Sequence, residues 1–264
     1  MKYSFMSFST TNLTLEEMLQ LAKKLGYAGV ELRLDSKHAH GIETDASDEK
    51  IENAKKLSEK YGVEICCIAT SCRFADSDSV KENIEKAKEA VELADKLGVK
   101  RLRVFGGAYP NDTYEKAFDN VVSALTEVSD FIGDRDITLC FETHDSWTNP
   151  DNVMDVIKKV NRKNVRVNWD IMHPTLTSKK TVEEAFNALK GYIAHVHMHD
   201  GVRPEGKITY LPFGTGKVDN AAALKLLTDF GYDGYMSGEW INWDEPNYLE
   251  TEINKLREYE KSFK

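Results

Sequence analysis

The stretch IAHVHMHD, residues 193–200, puts His195, His197 and His199 at every second position. Alternate side chains of an extended chain share a face, so the three imidazoles form one row along one strand. Three other strand-like runs end in an acid: CFETH carries Glu142, NWDIMH carries Asp170 and SGEW carries Glu239. Three carboxylates and one imidazole suit a single divalent ion. Hard oxygen donors favour Mg²⁺ or Mn²⁺, and the imidazole also admits Co²⁺, Fe²⁺ or Zn²⁺. Any one of these residues alone is better explained by the alternative in which buried acids pair with Arg or Lys. Four such groups at matching heights favour the cation, because clustered carboxylates without one repel and must take up protons. His197 matches the heights of the three acids. His195 lies deeper, as a core imidazole. His199 lies higher, where contact with substrate, support of a ligand and solvation are equally open.

Those heights presuppose the elements that carry them. Short apolar runs at 3–9, 29–34, 64–71, 101–107, 138–144, 165–171, 193–199 and 234–240 read as strands. Between and after them lie amphipathic, Lys/Glu-rich segments near 14–25, 48–61, 79–97, 113–133, 151–160, 181–190, 218–230 and 246–262. TLEE at 14–17 and TVEE at 181–184 carry the Thr-x-x-Glu signal of a helix start, and KKLG, DKLG and TDFG end in the glycine of a helix stop. Strand–helix alternation implies parallel strands joined by helical crossovers, and eight such units fit a closed α/β (β/α)₈ TIM barrel. The rival, an open doubly wound sheet, lacks its glycine-rich turn: STTNLT follows the first strand, with neither GxGxxG nor a P-loop. No linker or composition shift divides residues 1–264, so one barrel domain is expected. Barrel enzymes build their sites at the C-terminal strand ends, where Glu142, Asp170, His197 and Glu239 fall.

Composition narrows the partners. The net charge is −9 and no dense Lys/Arg run would track a phosphate backbone, which disfavours nucleic acid. No apolar run approaches membrane-spanning length, and the N-terminus turns polar too early for a secretory signal. Cys66, Cys67, Cys72 and Cys140 form no zinc-finger pattern and read as thiols of a reducing compartment. A cytoplasmic protein acting on a small molecule is expected.

GVELR (29–33), FETHD (141–145), NWDIMHP (168–174), HVHMHD (195–200), FGTGKVD (213–219) and SGEW (237–240) together resemble the sugar-phosphate isomerase/epimerase superfamily, across essentially the whole chain. That group has xylose isomerase-like barrels and includes the endonuclease IV type of repair enzyme. The resemblance implies that Glu142, Asp170, His197 and Glu239 hold the metal. It implies that Glu142 and Glu239 also exchange protons with a substrate carbon, and that His173 and Arg203 contact substrate. The nuclease's extra histidines are missing: the third and fourth strands end CIATSC and RVFGG, which leaves one ion and argues against DNA repair. Barrels of this group often pair, so a homo-oligomer is compatible with the resemblance.

A divalent ion on adjacent oxygens of a hydroxy-carbonyl compound acidifies the neighbouring C–H, and a carboxylate can take the proton to give an enediolate. Epimerisation, isomerisation and dehydration share this step. The leading expectation is a divalent-metal-dependent isomerase or epimerase of a small sugar or sugar derivative. The alternative is a dehydratase of a dehydroshikimate- or inosose-like ring, because ETH also looks like that branch, where a histidine at the place of His144 assists proton transfer. His144 is otherwise a loop imidazole in water.

Weaker candidates remain. Glu31 and Arg33 share a face and either bind substrate or pair with each other. His38 and His40 sit in a polar loop. Trp169, Trp240 and Trp243 either stack on a sugar or pack beneath a helix. Arg33, Arg73, Arg103 and Arg203 could each reach a phosphate. FGTGKVD reads as a turn before a helix, with Asp219 near its start.

Overall fold

A computed structural model describes residues 1–241 and 247–263. Eight parallel strands close a barrel: β1 (Lys2–Met6), β2 (Gly29–Arg33), β3 (Glu64–Arg73), β4 (Arg101–Phe105), β5 (Thr138–Glu142), β6 (Val165–Asp170), β7 (Ile193–Met198) and, after a two-stranded excursion of β8 (Asp200–Val202) and β9 (Thr209–Leu211), β10 (Tyr235–Gly238). The order around the barrel is β1-β10-β7-β6-β5-β4-β3-β2. The helices are α1 (Leu15–Leu25), α2 (Asp48–Tyr61), α3 (Val80–Leu97), α4 (Tyr114–Ile132), α5 (Pro150–Val160), α6 (Met172–Leu176), α7 (Val182–Leu189), α8 (Asn220–Phe230) and α9 (Asn247–Ser262). The expected last helix begins one residue earlier, at 246, outside the described residues. No helix among the described residues is long and apolar enough to cross a membrane.

The cap signals act as expected. Thr14 and Glu17, and Thr181 and Glu184, form reciprocal capping boxes at the starts of α1 and α7, each worth about 1 kcal/mol. Gly26 ends α1 at φ 80, the left-handed conformation that lets the chain turn back into β2. At the start of α8 the Asp219 carboxylate accepts from the Ala222 amide at 2.9 Å.

Strand alternation sorts the core. Val30 and Leu32, Leu102 and Val104, Leu139 and Phe141, Val167 and Trp169, and Val196 and Met198 belong to the apolar layer that also takes in the buried helix faces. The intervening residues are largely polar: Glu31, Arg103, Glu142, Asn168, Asp170, His195 and His197 are all 0 % exposed. β2 and β7 are separated on the ring by β1 and β10, yet Glu31 bonds to His195 and His197. Those bonds therefore span the lumen, and the barrel interior is a polar network inside an apolar shell.

Several boundaries differ from the sequence expectation. The first strand stops at Met6, and Ser7–Thr10 is a 3-10 turn. The Ser7 hydroxyl there accepts from the Arg33 amide at 3.0 Å, which holds the chain against β2. α6 and the β8–β9 hairpin are additions within stretches read as loop. Trp169 packs against Phe186 of α7 and Trp240 against Phe213, so both are helix- or loop-packing side chains. Trp243 lies outside the described residues.

Candidate metal centre at the barrel mouth

Glu142 and Asp170 are the last residues of β5 and β6, His197 is the next to last of β7, and Glu239 directly follows β10. The parallel register sets Asp170 beside His197 and Ser237 beside His197, which brings the C-terminal edges of the three strands to one level. One donor atom from each of Glu142, Asp170, His197 and Glu239 lies within 4.8 Å of the other three. All four are buried, Glu239 at 6 % exposure and the rest at 0 %. His197 Nδ1 stands 2.8 Å from Glu142 Oε1 and 3.6 Å from Glu239 Oε1.

The donor set fits a divalent cation. It offers three hard carboxylates and one imidazole, and Glu142 Oε2 is a buried oxygen without a hydrogen-bond partner. Its nearest cation is the Arg103 Nε at 3.2 Å, an ion pair whose geometry is not that of a hydrogen bond. Burial pushes the Glu142 carboxyl up, but His197 and Arg103 together outweigh it and hold it at about 2. Asp170 is likewise held well below the usual carboxylate range, against burial, chiefly by His199 and His173. Burial opposes protonation of His197, yet Glu31, Glu142 and Glu239 drive its affinity for a proton well above the ordinary value. Positive charge at this point is what the surrounding oxygens favour.

The three imidazoles of the row, His195 and His197 on β7 and His199 just beyond it, meet different sets of carboxylates. His195 Nε2 meets Glu31 Oε2 at 2.9 Å, deep in the lumen. His197 meets Glu142 through Nδ1 and Glu31 through Nε2, at 3.0 Å to Oε1. His199 Nε2 meets Asp170 Oδ2 at 2.6 Å, and its ring stacks on Tyr210 of the hairpin at 5.3 Å. His199 thus supports the Asp170 carboxylate. Asp170 is also tied down on its other oxygen: Oδ1 accepts from the Met172 and His173 amides at 2.8 and 2.9 Å. These two bonds start α6 and set His173 at the rim.

His144 and His173 come together there, with ring centroids 4.1 Å apart. Burial disfavours a charged His144, but the Asp145 carboxylate 2.9 Å away, with Glu142 and Asp170, pushes it up to about 9. His173 is pushed down to about 4, by burial first and then by its imidazole neighbours. Two adjoining rings at the mouth are thus driven in opposite directions, His144 towards the protonated form and His173 away from it. Arg203 is not brought into this group: it is exposed on the hairpin, and its Nε donates to the Gly206 carbonyl at 2.9 Å.

Three features escape sequence reading. Glu31 and Arg33 do not pair with each other; Arg33 donates to the Leu34 and Ala69 carbonyls and to Ser71, while Glu31 serves the two imidazoles. Arg103 is wholly buried, with its guanidinium 3.9 Å from the Phe105 ring centre and Nη1 donating to the Thr70 carbonyl at 2.8 Å. FGTGKVD is a cradle for a protein carboxylate: Asp200 accepts from the amides of Gly214, Gly216 and Val218, as well as Gly201. A side chain at Gly216 would collide with that carboxylate, which explains the glycine. The alternation of Asn168 with Asp170 was the one available signal for the amide that lies 3.0 Å from His197 Nδ1.

Comparison with known proteins agrees with the barrel fold. Residues 19–259 match the family model of the xylose isomerase-like TIM barrel. An uncharacterised protein of Methanocaldococcus jannaschii is 26% identical over 240 residues, covering 81% of this chain and 80% of its own length. A Haemophilus influenzae protein, named provisionally as L-ribulose-5-phosphate 3-epimerase SgbU, is 22% identical over 90% of this chain and 88% of its own. Among solved structures, AsbF of Bacillus anthracis, assigned provisionally as a 3-DHS dehydratase, superposes with a TM-score of 0.82 at 20% identity, covering 97% of this chain and 99% of that one. At that identity the likeness is one of fold.

Proposed function

Because the chain belongs to the xylose isomerase-like TIM barrel family, we propose that it is a divalent-metal-dependent isomerase or epimerase of a small sugar or sugar derivative. Glu142, Asp170, His197 and Glu239 hold the ion, Mn²⁺ or Mg²⁺ by preference of the oxygen-rich set. When bound, the ion polarises a substrate carbonyl and acidifies the adjacent C–H. The observation that carries the reading is that Glu142 and Glu239, from β5 and the end of β10, flank the same His197 nitrogen. Two carboxylates on different strands can approach one substrate carbon from different sides. One takes the proton and the other returns it, to the opposite face for an epimerase or through the neighbouring carbon for an isomerase. His144 and His173, which adjoin at the rim, contact substrate, and Arg203 of the hairpin is the third residue proposed to do so. SgbU's name supports the epimerase branch.

One observation favours a second reading. His144 sits at the rim with Nδ1 2.9 Å from the Asp145 carboxylate, which raises its affinity for a proton, so it can donate one to a departing hydroxyl. That is the group a dehydratase needs, and the name given to AsbF supports it. The partner on either reading is a small molecule and not nucleic acid. The four cysteines, all buried free thiols, suit the reducing cytoplasm.

Metal analysis of the purified protein should find about one divalent ion per chain, and two or three would refute the mononuclear site. A panel of ketoses, aldoses, their phosphates and cyclic polyol ketones is then incubated in deuterated water. Deuterium retained at a substrate carbon identifies the isomerase or epimerase. A conjugated enone with ultraviolet absorbance identifies the dehydratase instead. Glu142→Gln and Glu239→Gln should each lower turnover by roughly 10²–10⁴-fold. Full turnover in either variant would sink the proton-transfer assignment.

A further inference from the structure

We propose that Glu31 is a positioning residue that keeps the His197 proton on Nε2, so that Nδ1 is the nitrogen presented to the cation. The inference rests on the metal-site reading above. The two ring nitrogens of His197 face different surroundings. Nε2 points at Glu31, 3.0 Å from Oε1 and 3.2 Å from Oε2. Nδ1 points at Glu142 and Glu239, the residues that would share the ion. An imidazole ligand must offer an unprotonated nitrogen, and which one it offers is set by what the other nitrogen bonds. A carboxylate can only accept from Nε2, so it demands the proton there.

Glu31 is well suited to that demand. It is fully buried, so its charge is undiluted by water. It reaches His197 across the lumen from β2, a strand that contributes none of the four ligands. Its Oε2 also meets His195 Nε2 at 2.9 Å, so a second imidazole anchors the carboxylate from below. The first two histidines of the β7 row then divide the work: His195 fixes Glu31, and Glu31 fixes His197. The same oxygen-bearing pocket could instead be read as a second cation site, since Glu31, Cys67 and His195 each bring a donor atom within 4.8 Å. Both oxygens of Glu31 are already engaged by imidazoles, which favours the positioning role.

The test uses the full chain in two measurements. The first is the ¹⁵N NMR spectrum of histidine-labelled wild-type protein loaded with Zn²⁺ as a diamagnetic probe. His197 is expected to show a protonated Nε2 and a metal-bound Nδ1; a metal-bound Nε2 overturns the proposal. The second is Mn²⁺ affinity, by calorimetry, for wild type and Glu31→Gln. The amide keeps the shape and can donate or accept at either imidazole, so it no longer demands a proton on His197 Nε2. Binding should weaken roughly 10–100-fold. Unchanged affinity in a folded variant overturns the proposal, as does a second ion per wild-type chain that Glu31→Gln abolishes. Should wild type bind no ion at all, the metal-site reading itself has failed. If the variant does not fold, the wild-type spectrum decides alone.

Discussion

Glu252, on α9, is a buried carboxyl whose charge works against the fold. Both of its oxygens lie near the Phe213 amide, at 3.1 and 3.3 Å, and it is 1 % exposed. Burial raises its pKa from 4.5 to about 7, the Phe213 hydrogen bond opposes the rise, and nearby Asp200 adds to it. A folded-state value above the unfolded one means that the native protein binds this proton more tightly. Stability is therefore highest below about pH 4.5 for this group, falls as pH rises towards 7, and stays reduced above it. The full displacement corresponds to about 3 kcal/mol, and partial access of water brings the expected penalty to roughly 1–3 kcal/mol. Glu252→Gln keeps an acceptor for Phe213 and removes the charge. Thermal and urea unfolding of the two proteins should show the variant more stable by that amount at about pH 8, a gain of roughly 2–10 °C in Tm. The difference should close by about pH 5. A variant no more stable than wild type at pH 8 would refute the reasoning. An advantage that persists unchanged at pH 5 would assign it to packing instead of charge.

Two further outcomes follow from other buried groups. Arg103→Met removes the guanidinium between Glu142, Thr70 and Phe105 and should cost about 3–5 kcal/mol in a melt, the usual penalty for orphaning one partner of a buried pair. Glu142 would also lose a cation that keeps it ionised, so the acidic limb of the activity profile should move to higher pH; an unmoved limb would detach Arg103 from Glu142. Asp200→Ala leaves the amides of Gly214, Gly216 and Val218 without their acceptor. A loss of roughly 2–4 kcal/mol is expected, with hydrogen exchange speeding up across residues 212–218 while the barrel strands stay protected.

The barrel is readable in the sequence because its strands are short runs rich in apolar residues that alternate with amphipathic helices, several of them with capping signals. What escapes reading is structure made by single side chains. α6, MHPTL, is five residues long and contains a proline, so it carries no periodic signal. Its first turn is held by Asp170 Oδ1, which accepts from the Met172 and His173 amides. The β8–β9 hairpin has three-residue strands of mixed polarity, too short for alternation to register. Both features surround the candidate site and position His173 and Tyr210, so local pattern fails where the chain is shaped by the site.

The β7 row shows how far spacing alone can go. Alternation states correctly that His195, His197 and His199 share a face, and ring closure turns that face to the lumen. It is silent on what lies opposite, because Glu31 is 164 residues from His195 along the chain and separated from it by two strands around the ring. From sequence, Arg33 is the natural partner for Glu31, two residues away on the same face. The barrel separates them by height. Arg33 is high enough to reach the Leu34 and Ala69 carbonyls and Ser71, whereas Glu31 is low enough to meet imidazoles across the axis. A carboxylate confined in that interior cannot be solvated by water, so it must find donors on the facing strands. The polar half of each strand's alternation, which would face solvent in an open antiparallel sheet, is thereby forced into a single network. That compulsion brings four candidate ligands and their supports together from strands spread over the whole chain.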